Sequence, residues 1–340
     1  MKVIFSDKQQ DHDPESYLSS GAKLANPEVP ERADRLLAAA LECGLQLESP
    51  ADYGDDVIAA IHTSRYITFL QNIYTRWSRI DGASKEVIPN VHPIDRNDGY
   101  PKSAVGQVGF HVYDASCPIA AETWHSARWS AMTAAHAAQQ VMSGENACYA
   151  LSRPPGHHAS QDIAGGFCYL NNSAIAAQQL LAKYSRVAII DVDVHHGNGT
   201  QRIFYERDDV LTVSLHADPI RFYPFFWGYA NETGTGAGDG CNINFPLARG
   251  IGDDNYLKVL DDAIHAVSRY SPDAIVIALG LDAHEDDPYQ GMKITTAGFA
   301  RIGAQLAALA LPTVIVQEGG YLSDALGPNL ASFLAGFQAT

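Results

Sequence analysis

Two carboxylates and an imidazole carry the first chemical signal in this chain. Asp193 and His195 stand two residues apart in the run Asp191-Val192-Asp193-Val194-His195-His196-Gly197. On a strand, residues two apart point to the same face. Asp282 closes a separate apolar run, and the three together make an Asp-His-Asp set. Two oxygens and one nitrogen suit a divalent ion, and three protein ligands leave a position open for water and substrate. The Asp-x-His spacing alone is a weak signal, more often explained by a buried Asp–His hydrogen bond. Asp191 falls on the same strand face, where it would support the set from behind.

His157 and His158 are consecutive and follow Pro154-Pro155-Gly156, which fixes a turn. A metal-activated water needs a base for its proton, and a leaving amine needs an acid. Two adjacent imidazoles can cover both roles, although one of them could equally be a structural loop histidine. Tyr321 follows Gly319-Gly320, a pair that lets the backbone approach closely and present the phenol. A phenol opposite a metal would stabilise a tetrahedral oxyanion; alone, Gly-Gly-Tyr also describes a simple turn.

These residues need a scaffold that gathers distant chain segments. Apolar, β-rich runs at Val3–Ser6, Cys148–Ser152, Val187–Val194, Leu211–His216, Ala274–Leu281 and Thr313–Gln317 read as strands buried on both faces. Amphipathic stretches at Pro30–Cys43, Ser64–Trp77, His125–Met142, Asn171–Tyr184, Asp254–Tyr270 and Thr296–Ala308 read as helices. The alternation predicts an α/β fold, a parallel sheet covered by helices on both faces. In such sheets ligands bind at the carboxyl ends of the strands, and all the candidate residues follow strand ends. From about 78 to 123 the rhythm breaks, with Pro89, Pro93, Pro101 and Pro118 and weak periodicity. We expect one domain, 1–340, with a long inserted loop at about 78–123 that packs on a second subunit and helps close the active-site mouth.

Bulk properties narrow the function classes. Five scattered cysteines without a CxxC pair argue against a disulfide framework or a thiolate zinc site, and fit a reducing, cytoplasmic setting. The opening MKVIFSDKQQDHD reaches charge too soon for a secretory signal, and the apolar run Ala274–Leu281 is far short of the roughly 20 residues that span a bilayer. Net charge is −16, from 23 basic and 39 acidic residues. That balance repels nucleic acid and anionic membrane and favours cationic ligands, though it also suits a merely solubilising surface.

Taken together, RPPGHHA, GGFCYLNN, DVDVHHGNGT, LGLDAHEDDP and EGGY, in this order and spacing, resemble the histone deacetylase and acetylpolyamine amidohydrolase superfamily. The likeness starts at Pro30-Glu31-Arg32, continues through His62 and Tyr66, and ends at Tyr321. It implies an arginase/deacetylase-like three-layer fold with a central, mainly parallel sheet of about eight strands. It also implies zinc on Asp193, His195 and Asp282, with Fe2+ or Co2+ able to use the same ligands. His158 would be the general base and acid, His157 an electrostatic partner bonded to Asp191, and Asn198 the support of His158. Tyr321 would polarise the acetyl carbonyl, while Gly166, Phe167 and Tyr223 would line a slot for the acyl-amine stem. A structural potassium ion is implied at Asp191, Asp193, His195, Ser214 and Leu215, and a second monovalent site at Phe204, Arg207 and Val210.

The same resemblance orders the substrate readings. The long insertion, the acidic balance and Ser116 where protein deacetylases place an acid before Cys-Pro favour a small cationic acetylated amine, with the loop joining a homodimer. Val105, Ser116 and Tyr289 stand where polyamine-selective relatives place Glu, so the ammonium would need another carboxylate: Asp114, Asp98 or Glu15. The alternatives are a protein or peptide acetyl-lysine deacetylase, a two-manganese ureohydrolase of the arginase-like fold, a non-heme iron oxygenase and a non-catalytic acetyl-amine binder. The His-His pair and Gly-Gly-Tyr argue against the ureohydrolase. Two carboxylates with one histidine are the wrong ratio for the oxygenase.

Overall fold

The computed structural model describes residues 1–96 and 99–339. Its strands are β1 (Lys2–Ile4), β2 (Ser16–Ser19), β3 (Ala22–Ala25), β4 (Gln46–Glu48), β5 (Ala147–Ala150), β6 (Val187–Asp191), β7 (Val210–Ala217), β8 (Asn242–Leu247), β9 (Ala274–Leu279) and β10 (Thr313–Gln317). Eight of them form one sheet in the order β4-β1-β5-β10-β9-β6-β7-β8. Every neighbouring pair in it runs parallel. The α/β architecture expected from the alternating pattern is therefore present; the pattern named six of the eight strands, and the count of about eight matches the one that the family resemblance implies.

Helices α1 (Glu31–Glu42), α2 (Asp56–Ala59), α3 (Ser64–Trp77), α4 (Ala104–His111), α5 (Thr123–Met142), α6 (Asn172–Leu180), α7 (Asn198–Phe204), α8 (Asp253–Tyr270), α9 (Thr296–Ala307) and α10 (Leu326–Gln338) complete the element order. Side chains alternate along each central strand and so feed two separate cores. On β9, Ala274, Val276 and Ala278 join α3, α5 and α6 in one core. Ile275, Ile277 and Leu279 join α1, α8, α9 and α10 in the other. Burial on both faces explains why these strands read as unbroken apolar runs. Among the described residues no helix is long and apolar enough to cross a membrane.

Three expectations need correction. The strand carrying the chemistry ends at Asp191 rather than Val194. Beyond it, Asp191 Oδ1 accepts the Asp193 N–H at 3.1 Å and Asp193 Oδ1 accepts the His195 N–H at 2.8 Å. Such local carboxylate–backbone bonds compete with the sheet ladder and turn the chain. Likewise β9 stops at Leu279, so Asp282 lies on a bend past the strand. The 78–123 segment is not wholly irregular either: it contains α4, capped by the Ser103 hydroxyl on the Gly106 N–H, and a bridge between Val87 and Ile119. Gly106 and Gly109 weaken the helical signal there.

Candidate active site

Strands β5, β10, β9 and β6 are adjacent in the middle of the sheet. Their carboxyl ends deliver the His-His turn, the Gly-Gly-Tyr turn, Asp282 and the Asp191–His195 bend to one place. There a cavity of about 480 Å³ is lined by His157, His158, Asp193, His195, Asp282 and Tyr321. Gly166, Phe167, Tyr223, Asp114, Ser116 and Tyr289 line the same cavity. Asp191 and Asn198 stand behind it as hydrogen-bond partners of the two histidines.

Asp193, His195 and Asp282 each offer an atom within 4.8 Å of the others, and all three residues are buried. His195 Nδ1 faces Asp193 Oδ1 and Asp282 Oδ2, both at 3.1 Å. Burial opposes charge here, yet the two carboxylates raise the imidazole pKa to about 9. The pocket thus favours positive charge at the focus of two carboxylates. Its walls leave no spare room: a Cβ on Gly319 would lie 2.2 Å from Asp282 Oδ2, and one on Gly280 2.2 Å from Asp193 Oδ2. Buried carboxylates require a paired cation or a metal, and this donor set fits a divalent ion with an open position.

The tandem histidines are held differently. His157 Nδ1 lies 2.9 Å from Asp191 Oδ2, and His158 Nδ1 lies 2.7 Å from Asn198 Oδ1. Burial would lower His157, but Asp191 and then Asp193 lift its pKa to about 10. His158, with an amide partner, is pushed well below the usual imidazole value by burial and by His157 and His195. One imidazole is thus kept charged and its neighbour kept as a neutral base, the division expected of an acid–base pair. Burial, then Tyr289, raises the phenol of Tyr321 well above its ordinary value, so it stands as a donor.

Of the residues that the resemblance names for potassium, Asp193 and His195 line the cavity and Asp191 stands behind it. Asp191 is in register with Ser214 on β7, and Leu215 is the next residue. The Ser214 hydroxyl lies 2.8 Å from His216 Nδ1. At the second monovalent position the Phe204 carbonyl accepts the Arg207 N–H at 3.0 Å. Of the three carboxylates named for the ammonium, Asp114 is at the cavity wall, Glu15 is exposed and paired with Lys85, and Asp98 lies outside the described residues.

Several supporting residues carried no assignment from sequence. Glu318 accepts the backbone N–H of Gly156 and His157 and the Ser173 hydroxyl. Asp287 accepts from the backbone of Tyr289 and Tyr321, and burial, then Asp282, raises its pKa to about 7. Arg32 donates to the Gly320 and Glu318 carbonyls and lies 4.9 Å from the centre of the Tyr321 ring. Phe222 stacks on His195 with centroids 5.1 Å apart. Glu318, Arg32 and Asp287 sit inside recognisable motifs, which was the available signal; Phe222 had none.

The histone deacetylase domain family matches residues 26–337. The acetylpolyamine amidohydrolase of Burkholderia pseudomallei (strain 1710b) is 45% identical over 340 residues, covering 100% of this chain and 99% of that protein. Acetylpolyamine amidohydrolase 1 of Pseudomonas aeruginosa is 41% identical over 343 residues, covering 99% of both. The crystal structure of the Burkholderia pseudomallei acetylpolyamine aminohydrolase from an iodide soak superposes with a TM-score of 0.97, covering 100% of this chain and 99% of that one at 45% identity.

Proposed function

Because this chain belongs to the histone deacetylase domain family, we propose that it hydrolyses N-acetylated polyamines or diamines to the free amine and acetate. The observation that carries the reading is the meeting of the Asp193–His195–Asp282 set, the tandem His157–His158 and the phenol of Tyr321 on one cavity. Three full-length relatives named for acetylpolyamines support the substrate class.

Asp193, His195 and Asp282 would hold zinc. Such an ion supplies a Lewis acid for the amide carbonyl and lowers the pKa of water. His158 takes the proton of the attacking water and returns it to the departing amine. His157, charged against Asp191, favours the negative charge that develops beside it. Tyr321 donates its phenol proton in a hydrogen bond to the oxyanion. Gly166, Phe167 and Tyr223 hold the aliphatic stem between apolar walls, with Tyr289 beside Tyr321. Asp191, Asp193, His195, Ser214 and Leu215 would hold a structural potassium ion. On this reading 1–340 works as one cytoplasmic catalytic domain, and the 78–123 segment supplies part of the wall and a homodimer contact.

The test is acetate release by the zinc-loaded protein from acetylputrescine, acetylcadaverine and acetylspermidine against an acetyl-lysine peptide. A higher kcat/KM on the small amines is expected. Preference for the peptide would make the protein a lysine deacetylase with the same chemistry.

A further inference from the structure

A chain of hydrogen bonds leads from His158 into a part of the wall that the reaction above leaves unused. His158 Nδ1 lies 2.7 Å from Asn198 Oδ1, and Asn198 Nδ2 lies 3.4 Å from the Tyr113 hydroxyl. That hydroxyl is 2.6 Å from the Tyr223 hydroxyl, which is 2.5 Å from Asp114 Oδ2.

An ionised Asp114 at the far end sets the direction of every bond. Asp114 receives the Ser116 N–H on Oδ1 at 2.9 Å and the Gly166 N–H on Oδ2 at 3.0 Å. Backbone N–H groups only donate, so both oxygens of Asp114 stand as acceptors. With Asp114 ionised, the Tyr223 hydroxyl gives its single proton to Oδ2, and its oxygen accepts from Tyr113. Tyr113, its proton committed, accepts from Asn198 Nδ2. The Asn198 amide is then held with Oδ1 toward His158, and only an N–H at Nδ1 can meet it.

An amide needs this help. A carboxylate at position 198 would accept from His158 in either rotation. An amide turned over would present its NH2 to Nδ1 and force the other tautomer. The wall is also cut to bring the partners together. A Cβ on Gly165 would come within 2.1 Å of the Tyr113 ring. One on Gly166 would come within 2.4 Å of His158 Cδ2 and 2.8 Å of the Tyr223 hydroxyl. Tyr113 reaches this place because its N–H bonds the Ala164 carbonyl at 3.0 Å, laying the end of the 78–123 segment along the glycine turn.

We infer that Asp114, Tyr223 and Tyr113 form a positioning relay that orients the Asn198 amide and thereby holds His158 in the Nδ1–H tautomer. The lone pair is left on Nε2, which has no hydrogen-bond partner among the described residues and is the nitrogen a base requires. The use of that base rests on the deacetylase reading; the tautomer itself does not. Asp114 is on this account a residue of the base, with three of its acceptor positions already filled.

The zinc-loaded enzyme, labelled with 15N-histidine, reads the tautomer from its two ring nitrogens, with the His158 signals assigned by their loss in His158→Ala. The wild type should show Nδ1–H alone. Tyr113→Phe, Tyr223→Phe and Asp114→Asn keep the side-chain shapes, and each should bring in the Nε2–H form. Their kcat should fall ~10–1,000-fold with KM little changed, a share of the 10²–10⁴ that a general base contributes. The Tyr113→Phe/Tyr223→Phe pair should be no worse than the poorer single variant, because both break one chain. An unchanged tautomer in all three variants, or losses that multiply, overturns the relay. Spectra that change as expected in a wild type releasing no acetate would remove the proposed reaction and leave the relay standing.

Discussion

Glu318 accepts the backbone N–H of His157 at 3.0 Å and that of Gly156 at 2.7 Å on the same carboxylate oxygen. One side chain at the end of β10 thus fixes the tandem-histidine turn that follows β5. Glu318 is fully buried, and burial raises its pKa to about 7, with His157 opposing. The sign is that of a carboxyl whose folded pKa exceeds its unfolded value. The native state keeps a proton that the unfolded chain has lost, and the stability this gives disappears as pH rises from about 4.5 to about 7. Glu318→Gln should remove that trend, gaining on the wild type by up to ~3 kcal/mol across the window. Urea midpoints at a series of pH values measure it, and parallel curves would contradict it. Glu318→Ala should instead cost ~2–6 kcal/mol, since two buried N–H groups lose their acceptor.

Tyr289, the phenol packed directly on Tyr321, is not placed to replace it. Tyr289 packs against it with ring centroids 4.9 Å apart, but its own phenol is engaged toward Tyr17. Tyr321→Phe keeps the ring between Arg32, Phe167 and Tyr289 and removes only the donor. Turnover should fall by ~10²–10³, the usual loss for one oxyanion donor. Zinc content and thermal stability should stay near wild type. Near-normal turnover with full metal would take the oxyanion role from this residue.

Much of this site was legible because strong periodicity and fixed motifs coincide at the ends of central strands. The apolar runs of β9 and β10 gave the start of the one and both ends of the other, Ala274 and Thr313–Gln317, while the end of β9 was read two residues too far. Elements without that contrast were not. β4 is three residues long and largely exposed, and β8 alternates through Asn242, Asn244 and Pro246 at the sheet edge. The β2–β3 hairpin turns through Ser20 and Gly21, both at positive φ, but its strands bury little. α10 carries Gly327 and Pro328 in its first turn, which reads as a break although proline is tolerated there. Tyr113 was unreadable for a different reason: its role exists only through Asn198, Tyr223 and Asp114, which lie up to 110 positions away in sequence.

Metal removal should separate the roles of the acidic set. Asp193 and Asp282 converge on His195 Nδ1 inside a buried pocket, so the apoprotein holds two carboxylates with one imidazole between them. Stripping with a chelator should abolish acetate release and lower the melting temperature, and added zinc should restore both. At zinc 100-fold above its Kd, linkage stabilises the fold by ~2.7 kcal/mol. Asp282→Asn should bind zinc more weakly and lose most of that increment. A melting temperature indifferent to zinc would mean that these residues do not hold it.

Acid should weaken the fold at a second buried cluster, away from the metal set. His12 lies 3.6 Å from Glu28 Oε2 and 3.0 Å from the Thr123 hydroxyl. Arg32 and Arg153 already neutralise Glu28, at 2.6 and 2.9 Å. Burial lowers the His12 pKa to about 3, Glu28 opposing and Arg153 assisting. The folded value lies below the unfolded one, so the ring is neutral in the native state and takes a proton only on unfolding. The stability it contributes is complete above pH ~6.5 and is lost as pH falls toward 3, at ~1.4 kcal/mol per pH unit. His12→Asn, which cannot titrate, should be less stable than wild type at neutral pH and approach it as pH falls from 6.5 to 5. Guanidinium midpoints of the two proteins across that range measure the convergence. A constant gap between them would show that His12 is already protonated in the folded protein, making Glu28 a partner of three cations.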